Sequence, residues 1–421
     1  MNRNSNQYTY SIVIIGILFF IFGFVTWLNG PLITYVKLAF SLDTDSKAFL
    51  VTTAFYMAYF FLALPSSWIL EKTGMKKGMA LGLFVMAIGT FVFGQFATHR
   101  DYTASLIGLF IIGSGLSILQ TASNPYISII GPIESAAQRI SIMGICNKVA
   151  GILSPIVLSA FVLKDIAKLE ERVNQAAPDV KDQILTEFAS TIYVPYLIMA
   201  GILALLAIWI MRSALPEIKA SEVNVEQIGS SSKNRTSIFQ FPYLLLGAFC
   251  IFVYVGVEVM AGDAIGTYGK GFNISSDETK YFTSFTLIAM LVGYVVGLFS
   301  IPKIISQQTA LKASAILGIL FTCAALFTTG YISVGFVAAL GLANALMWPA
   351  IWPLAIEGLG KFTERGSALI IMGIAGGAVI PKIFASLKDD YDFQWTFFAI
   401  MLPCYLFILF FASRGHKIGK G

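Results

Sequence analysis

The 421 residues are 57% hydrophobic and only 12% charged, with a mean hydropathy of +0.78. That balance excludes an ordinary soluble domain and predicts a chain embedded in a membrane. The net charge of +5 calls for no nucleic-acid partner, because basic loops on one membrane face, together with anionic lipid headgroups, account for it.

An apolar run of about 18 residues or more can cross a ~30 Å hydrocarbon layer as a helix, and twelve such runs follow in chain order. The polar start MNRNSNQYTYS enters the first span (11–36) with no small-residue cleavage site, so this helix is expected to stay in the protein. It carries Thr26, Trp27 and Asn29 just ahead of Gly30 and Pro31. The second span (48–70) turns into the third (78–97) through PSSWILEKTGMKKGMALG, where a glycine is bracketed by Glu71, Lys72, Lys76 and Lys77. On the fourth span (103–130), Ser117, Gln120 and Asn124 form a polar stripe at helical spacing before Pro125. The fifth (140–163) sets Asn147 and Lys148 side by side in apolar surroundings, and the sixth (191–211) follows.

Hydrophobicity then stops at EIKASEVNVEQIGSSSKNRTS (217–237), a serine-rich connector of mixed charge. Beyond it the seventh span (240–268) contains Tyr254, Glu258 and Asp263 among four glycines. The eighth (281–301) and ninth (310–329) are plain. The tenth (333–356) aligns Asn344, Trp348 and Trp352, with Pro349 and Pro353 loosening it, and the eleventh (367–387) and twelfth (395–413) complete the set.

The two sides of the connector repeat one another. QRISIMGICNKVAGILSPI resembles ERGSALIIMGIAGGAVIPKI, with Arg139 and Arg365, Ser141 and Ser367, Gly151 and Gly377, and Pro155 and Pro381 at one offset of 226. The predicted fold class is therefore an all-α membrane protein of twelve transmembrane helices in two pseudo-symmetric six-helix bundles. Residues 1–212 form the first bundle, 213–238 a cytoplasmic connector and 239–421 the second bundle.

Orientation follows from the basic residues, which favour cytoplasmic loops. With the N-terminus inside, Lys72, Lys76, Lys77, Arg139, Arg212, Lys219, Lys233, Arg235, Lys303, Lys361, Arg365, Arg414, Lys417 and Lys420 all fall on that side. Acids collect opposite, among them Asp43, Asp45, Asp101, Glu170, Glu171, Asp277, Glu278, Asp389 and Asp390. Both termini are expected in the cytoplasm, with the chain in the inner membrane. Cys146, Cys250, Cys323 and Cys404 stand singly in apolar segments, as small buried hydrophobes rather than a disulfide or metal set. His99 and His416 lie in loops, and no nucleophile, metal or phosphate motif stands in the sequence, so an enzyme is not expected.

Function must then come from polar residues inside the spans, since a charge at mid-bilayer costs roughly 2.5–3.5 kcal/mol on insertion scales and faces a cavity or a partner. Amides serve hydroxyl groups, and the flat faces of Trp27, Tyr126, Tyr254, Trp348 and Trp352 suit the C–H patches of a sugar ring. Single amides also glue transmembrane helices together; polar residues gathered on five spans, the first, fourth, fifth, seventh and tenth, favour a cavity. The expected substrate-binding set is Asn29, Gln120, Asn124, Asn147, Tyr254, Asn344 and Trp348. Trp348 is the preferred stacking ring, and Tyr126 is read as packing or an interfacial anchor.

The turn at 65–82 resembles the loop signature of the major facilitator superfamily, although the commonest form has an aspartate where Glu71 or Lys72 falls. Along the whole chain the sequence resembles the fucose:proton symporter and glucose/galactose porter group of that superfamily. The resemblance is carried by QTASNPYI (120–127), AQRISIMGICNKVAG (137–151), YVGVEV (254–259) and NALMWPAIWPLAIEGLGKFTERGSALIIMGIAGGAVIP (344–381). RISIMGICNK and VGVEVMAGD look closest to the branch containing N-acetylglucosamine transporters. The resemblance implies sugar contacts at Gln120 and Asn147. It also places Asn29 and Gln120 where the fucose symporter has carboxylates. Neither amide can titrate, so ion coupling must use another group.

Glu258 and Asp263 are the candidates, as proton carriers or, for Glu258, as a sodium ligand. Glu258 is expected in the cavity, paired with Lys148, and Asp263 nearer the outer surface, where a solvated residue at the cavity mouth is the alternative. Lys382 is expected to snorkel or pair near the outer interface. The function these residues predict is a cation-coupled importer of a hexose or N-acetylhexosamine, with a co-transported proton or sodium ion, no cofactor and no metal site. It would act as a monomer in the lipid bilayer. The alternatives are a non-transporting sugar sensor on the same fold and a drug:proton antiporter.

Overall fold

The structure, a computed structural model, describes residues 2–130, 136–217, 236–301, 304–359 and 362–420. Among the described residues there is no strand, and twelve helices are long and apolar enough to cross a membrane. Most of the connector lies outside the described residues, and with it Lys219, Lys233 and Arg235; Lys303 and Lys361 also lie outside them.

Helix starts follow from capping chemistry. The Asp101 carboxylate accepts from the Ala104 amide, Ser306 Oγ from Thr309 and the Asp392 carboxylate from Trp395, each satisfying a donor left over in a first turn. The turn between the second and third spans depends on Gly74, whose φ of +81° places it in the left-handed region and whose missing side chain leaves room for Glu217. Glu217 in turn accepts from the Lys76 amide at 3.0 Å, while Lys76 Nζ donates to the Ser213 carbonyl at 2.7 Å. The charged turn is thus tied to the end of the sixth span.

The helix contacts repeat between the halves. The third span packs on the fourth and sixth, the second on the fourth and the first on the fifth; the ninth packs on the tenth and twelfth, the eighth on the tenth and the seventh on the eleventh. Across the boundary the fifth meets the eighth and the second meets the eleventh, two contacts that the same pseudo-symmetry exchanges. The repeated glycines sit at these crossings. A Cβ on Gly151 would lie 2.5 Å from Trp27 and 2.9 Å from Leu287; one on Gly377 would lie 3.0 Å from Val259 and 3.1 Å from Tyr56. Each glycine lets one helix of its own half and one of the other half approach together, the close packing on which association in lipid depends.

Several spans are broken where the sequence reads them as continuous. The first consists of Asn2–Trp27 and Asn29–Ala39, the tenth of Gly330–Asn344 and Met347–Ile356, and the eleventh passes through a short 3-10 turn at Gly373–Ala375. The seventh ends at Gly262, not at 268: the Asp263 and Ala264 amides both bond to the Val259 carbonyl, and a separate helix, Ile265–Lys270, follows. Between the fifth and sixth spans two further helices, Ile166–Gln175 and Pro178–Ser190, lie at the end away from both termini, here called the distal end.

Charged groups draw the halves together at that distal end. Asp45 is shared by Lys37 of its own half and Lys388 of the other, each at 2.5 Å. Burial pulls the Lys388 pKa down, but the Asp389 and Asp45 carboxylates outweigh it and hold the ammonium above its ordinary value. Lys382 bonds to the Ser46 hydroxyl at 2.7 Å and to its carbonyl, so it pairs across the boundary. Ser276 donates to Glu170 at 2.8 Å and Lys280 to the Leu163 carbonyl at 2.9 Å. Lys270 faces Glu170 at 3.6 Å, with burial pulling its pKa below the usual lysine range.

Candidate functional site

Between the halves lies a cavity of about 110 Å³, lined from one side by Trp27, Tyr56, Tyr59, Gln120, Asn124, Asn147 and Lys148 and from the other by Tyr254, Glu258, Tyr294 and Trp348. Gln120 and Asn124 reach it because four residues is slightly more than one helical turn, which keeps both on one face. Asn147 reaches it because Gly23, opposite, has no side chain: a Cβ there would come within 2.3 Å of the Asn147 carbonyl oxygen.

The polar groups are held by one another. Gln120 Nε2 donates to the Tyr59 hydroxyl at 2.8 Å, and Trp27 Nε1 donates to Asn147 Oδ1 at 3.4 Å. Lys148 Nζ donates to Glu258 Oε1 at 2.9 Å across the boundary and lies 4.4 Å from the centroid of the Trp27 ring. Trp27 itself is wedged between Gly151 and Gly262, where added Cβ atoms would come within 2.5 and 2.4 Å of its ring. Three amides, an ion pair and a fixed indole thus converge where a small polar ligand would be contacted by both halves.

The aromatic wall is continuous. Trp348 stacks on Trp352 with centroids 5.6 Å apart and an interplanar angle of 26°, and Tyr254 meets Trp348 at 6.4 Å. One face of Trp348 is therefore occupied by Trp352. Tyr126 is fully buried and its hydroxyl donates to the Pro216 carbonyl at 3.1 Å, so it packs inside the first half and does not anchor at an interface.

Three residues expected at the site are placed elsewhere. Asn344 is wholly buried and its Oδ1 accepts from Tyr405 at 2.9 Å; the break after it turns it toward the twelfth span as interhelical glue. Asn29 is 1% exposed, follows the break in the first span and lies behind Tyr56 without lining the cavity itself. Asp263 is 2% exposed, which goes against the alternative of a solvated residue at a cavity mouth: the end of the helix at Gly262 sets it against Gly30. Sequence reading did not single out Tyr56, Tyr59 and Tyr294, because nothing distinguishes them locally from other aromatics of a chain with 17 tyrosines and 35 phenylalanines.

Residues 15–381 match the sequence profile of the Major Facilitator Superfamily. The chain belongs to that superfamily. It is 32% identical to the glucose/galactose transporter of Brucella abortus over 98% of this chain and 96% of that protein. It is 26% identical to the L-fucose-proton symporter of Escherichia coli K12, covering 97% and 93%. The crystal structure of the superfamily transporter FucP in its outward conformation superposes with a TM-score of 0.75 at 24% identity, over 97% of this chain and 99% of that one, a likeness of fold. Superfamily membership makes this an integral multi-pass membrane protein of transporter type and not an enzyme.

Proposed function

We propose that this chain is a cation-coupled secondary importer of a hexose or an N-acetylhexosamine. The observation that carries the reading is the cavity in which the Gln120 and Asn147 amides, the Trp27 and Trp348 rings and the Lys148–Glu258 pair converge from both halves. Amides at the rim and rings at the face match the edges and C–H surfaces of a pyranose. Relatives named as a glucose/galactose transporter and an L-fucose-proton symporter support the same substrate class. The amides of Gln120, Asn124 and Asn147 in the lining count against a drug:proton antiporter, whose cavity would be dominated by aromatics and acids.

In this reading the two halves, 1–212 and 239–421, rock about the cavity as a monomer in the inner membrane, with both termini cytoplasmic and the distal end facing outward. The basic turn at Lys72, Lys76 and Lys77 supports that orientation. In that orientation the bonds of Asp45, Ser46 and Glu170 to the second half support a state closed on the outside. The test is uptake into proteoliposomes of radiolabelled glucose, galactose, fucose and N-acetylglucosamine, with pH and sodium gradients imposed separately. Concentrative uptake of one of them under one gradient is expected. Absence of both uptake and counterflow for all four would overturn the sugar reading.

A further inference from the structure

Asp263 stands outside the sugar cavity, in a second polar site at the boundary between the halves. Neither carboxylate oxygen has a hydrogen-bond partner, and neither does Nδ2 of the equally buried Asn29. A Cβ on Gly30 would lie 3.3 Å from Asp263 Oδ1 and 2.5 Å from Thr283 Oγ1, so the missing side chain of Gly30 is what lets these groups meet. The site therefore has a lid from the first half, Asn29 and Gly30, and a floor from the second, Asp263 and Thr283.

An ionised Asp263 is unfavourable here on three counts. It is buried with no cation or side-chain donor bonded to it, and the backbone N–H of Gly30 is the one donor beside it. It caps the C-terminus of Pro242–Gly262, where the helix dipole is negative and repels an anion. Its charged surroundings are already balanced: Lys148 is spent on Glu258, so one lysine and two carboxylates leave a single negative charge in excess, which one proton removes. Tyr56 of the second span faces both acids and carries no positive charge.

The neighbours suit a neutral acid better than a metal cation. The Gly30 backbone N–H offers a donor to a carboxyl C=O. Thr283 Oγ1 donates its own proton to the Gly262 carbonyl at 2.8 Å, which leaves its lone pairs to accept from a carboxyl O–H.

We propose, on the basis of the importer reading above, that Asp263 carries the co-transported proton and that the distal end closes only over its neutral form. With the halves apart at that end, Asp263 would face outside water and its carboxylate oxygen would take one proton from hydronium, the carboxyl O–H bond forming as a hydronium O–H bond breaks; once the opposite end opens, the carboxyl O–H would break in turn and the proton pass to water on that side. Closure would then bury the neutral acid against Gly30. A charged Asp263 would hold the seam open, so sugar and proton would enter the closed state together. Glu258, fixed by Lys148, would serve the cavity and not the proton.

Infrared difference spectroscopy of the full-length protein in lipid tests the site without any sugar. A C=O band of a neutral carboxylic acid is expected at pH 7, lost in Asp263→Asn and kept in Glu258→Gln. In proteoliposomes Asp263→Asn should keep sugar counterflow, lose concentrative uptake under a pH gradient, and lose the pH dependence of apparent sugar affinity. The absence of a neutral-acid band in the wild type would overturn the proposal whether or not the variant folds. So would concentrative uptake surviving in Asp263→Asn, or uptake driven by sodium at equal pH. Failure of all four sugars in the wild type would refute only the importer reading, leaving the infrared result to decide the site.

Discussion

Lys148 Nζ lies 2.9 Å from Glu258 Oε1 and 4.4 Å from the Trp27 ring centroid, so one ammonium joins the fifth, seventh and first spans. The pair is largely removed from solvent, with side-chain exposures of 7% and 12%. Removing one partner of such a pair strands the other charge, at a cost of about 3–5 kcal/mol, whereas replacing both with neutral groups of similar size is far milder. Lys148→Ala should therefore lower the thermal unfolding midpoint in detergent much more than Lys148→Met combined with Glu258→Gln. Equal losses in the two would mean that the charges are not coupled.

Asn147 and Asn344 are both buried amides on polar stripes, but the structure separates their roles. Asn147 lines the cavity, and Asn344 holds Tyr405. Asn147→Ala should raise the apparent KM for the transported sugar by about tenfold, the loss of roughly one charge-free hydrogen bond and its positioning, with a smaller loss of stability than Asn344→Ala, because the Trp27 bond it removes is long, at 3.4 Å. Asn344→Ala should do the reverse, lowering stability by about 1–3 kcal/mol as the buried Tyr405 hydroxyl loses its acceptor, with KM unchanged. The comparison fails if both variants shift KM alike.

The crossing glycines give a test of the pseudo-symmetry. Gly151→Ala and Gly377→Ala each insert a methyl where a ring already sits, and overpacking of this kind costs about 1–3 kcal/mol. Because each site includes a helix of the other half, the strain falls on the closed state, so both variants should slow turnover as well as lower stability. Gly201, with no atom within 4 Å of its Cβ position, is the control. Gly201→Ala should leave both measurements unchanged.

Much of this architecture is legible in the sequence for simple reasons. Twelve apolar runs declare themselves because lipid tolerates few charges, and the offset of 226 that joins Gly151 to Gly377 records helices doing equivalent work in two halves. Lys148 and Glu258 find each other on paper because a buried lysine needs an anion and few acids lie that deep. What fails is anything decided by a local break. Asn29 is missing from the cavity lining after the first span breaks at Leu28, and Asp263 is sealed against Gly30 after the seventh ends at Gly262, because periodicity assumes that helices continue. Asn344 fails for another reason: an amide facing a sugar and an amide facing a tyrosine have the same sequence signature.

The distal closure can be locked covalently. Ser46 Oγ and Ser386 Oγ lie 3.1 Å apart across the boundary, beside the Lys382 contact to Ser46 and the Lys388–Asp45 pair. Sulfurs at those positions need only a small adjustment to reach the ~2.05 Å of a disulfide. In a background with Cys146, Cys250, Cys323 and Cys404 replaced, Ser46→Cys with Ser386→Cys should cross-link on mild oxidation. Uptake should then stop, and reduction should restore it, since a joined distal end cannot open to admit sugar. Each single cysteine variant should transport normally under the same oxidant. Full transport by the oxidised double variant, with cross-linking verified by mass spectrometry, would mean that the two halves do not separate at Ser46 and Ser386 during the cycle.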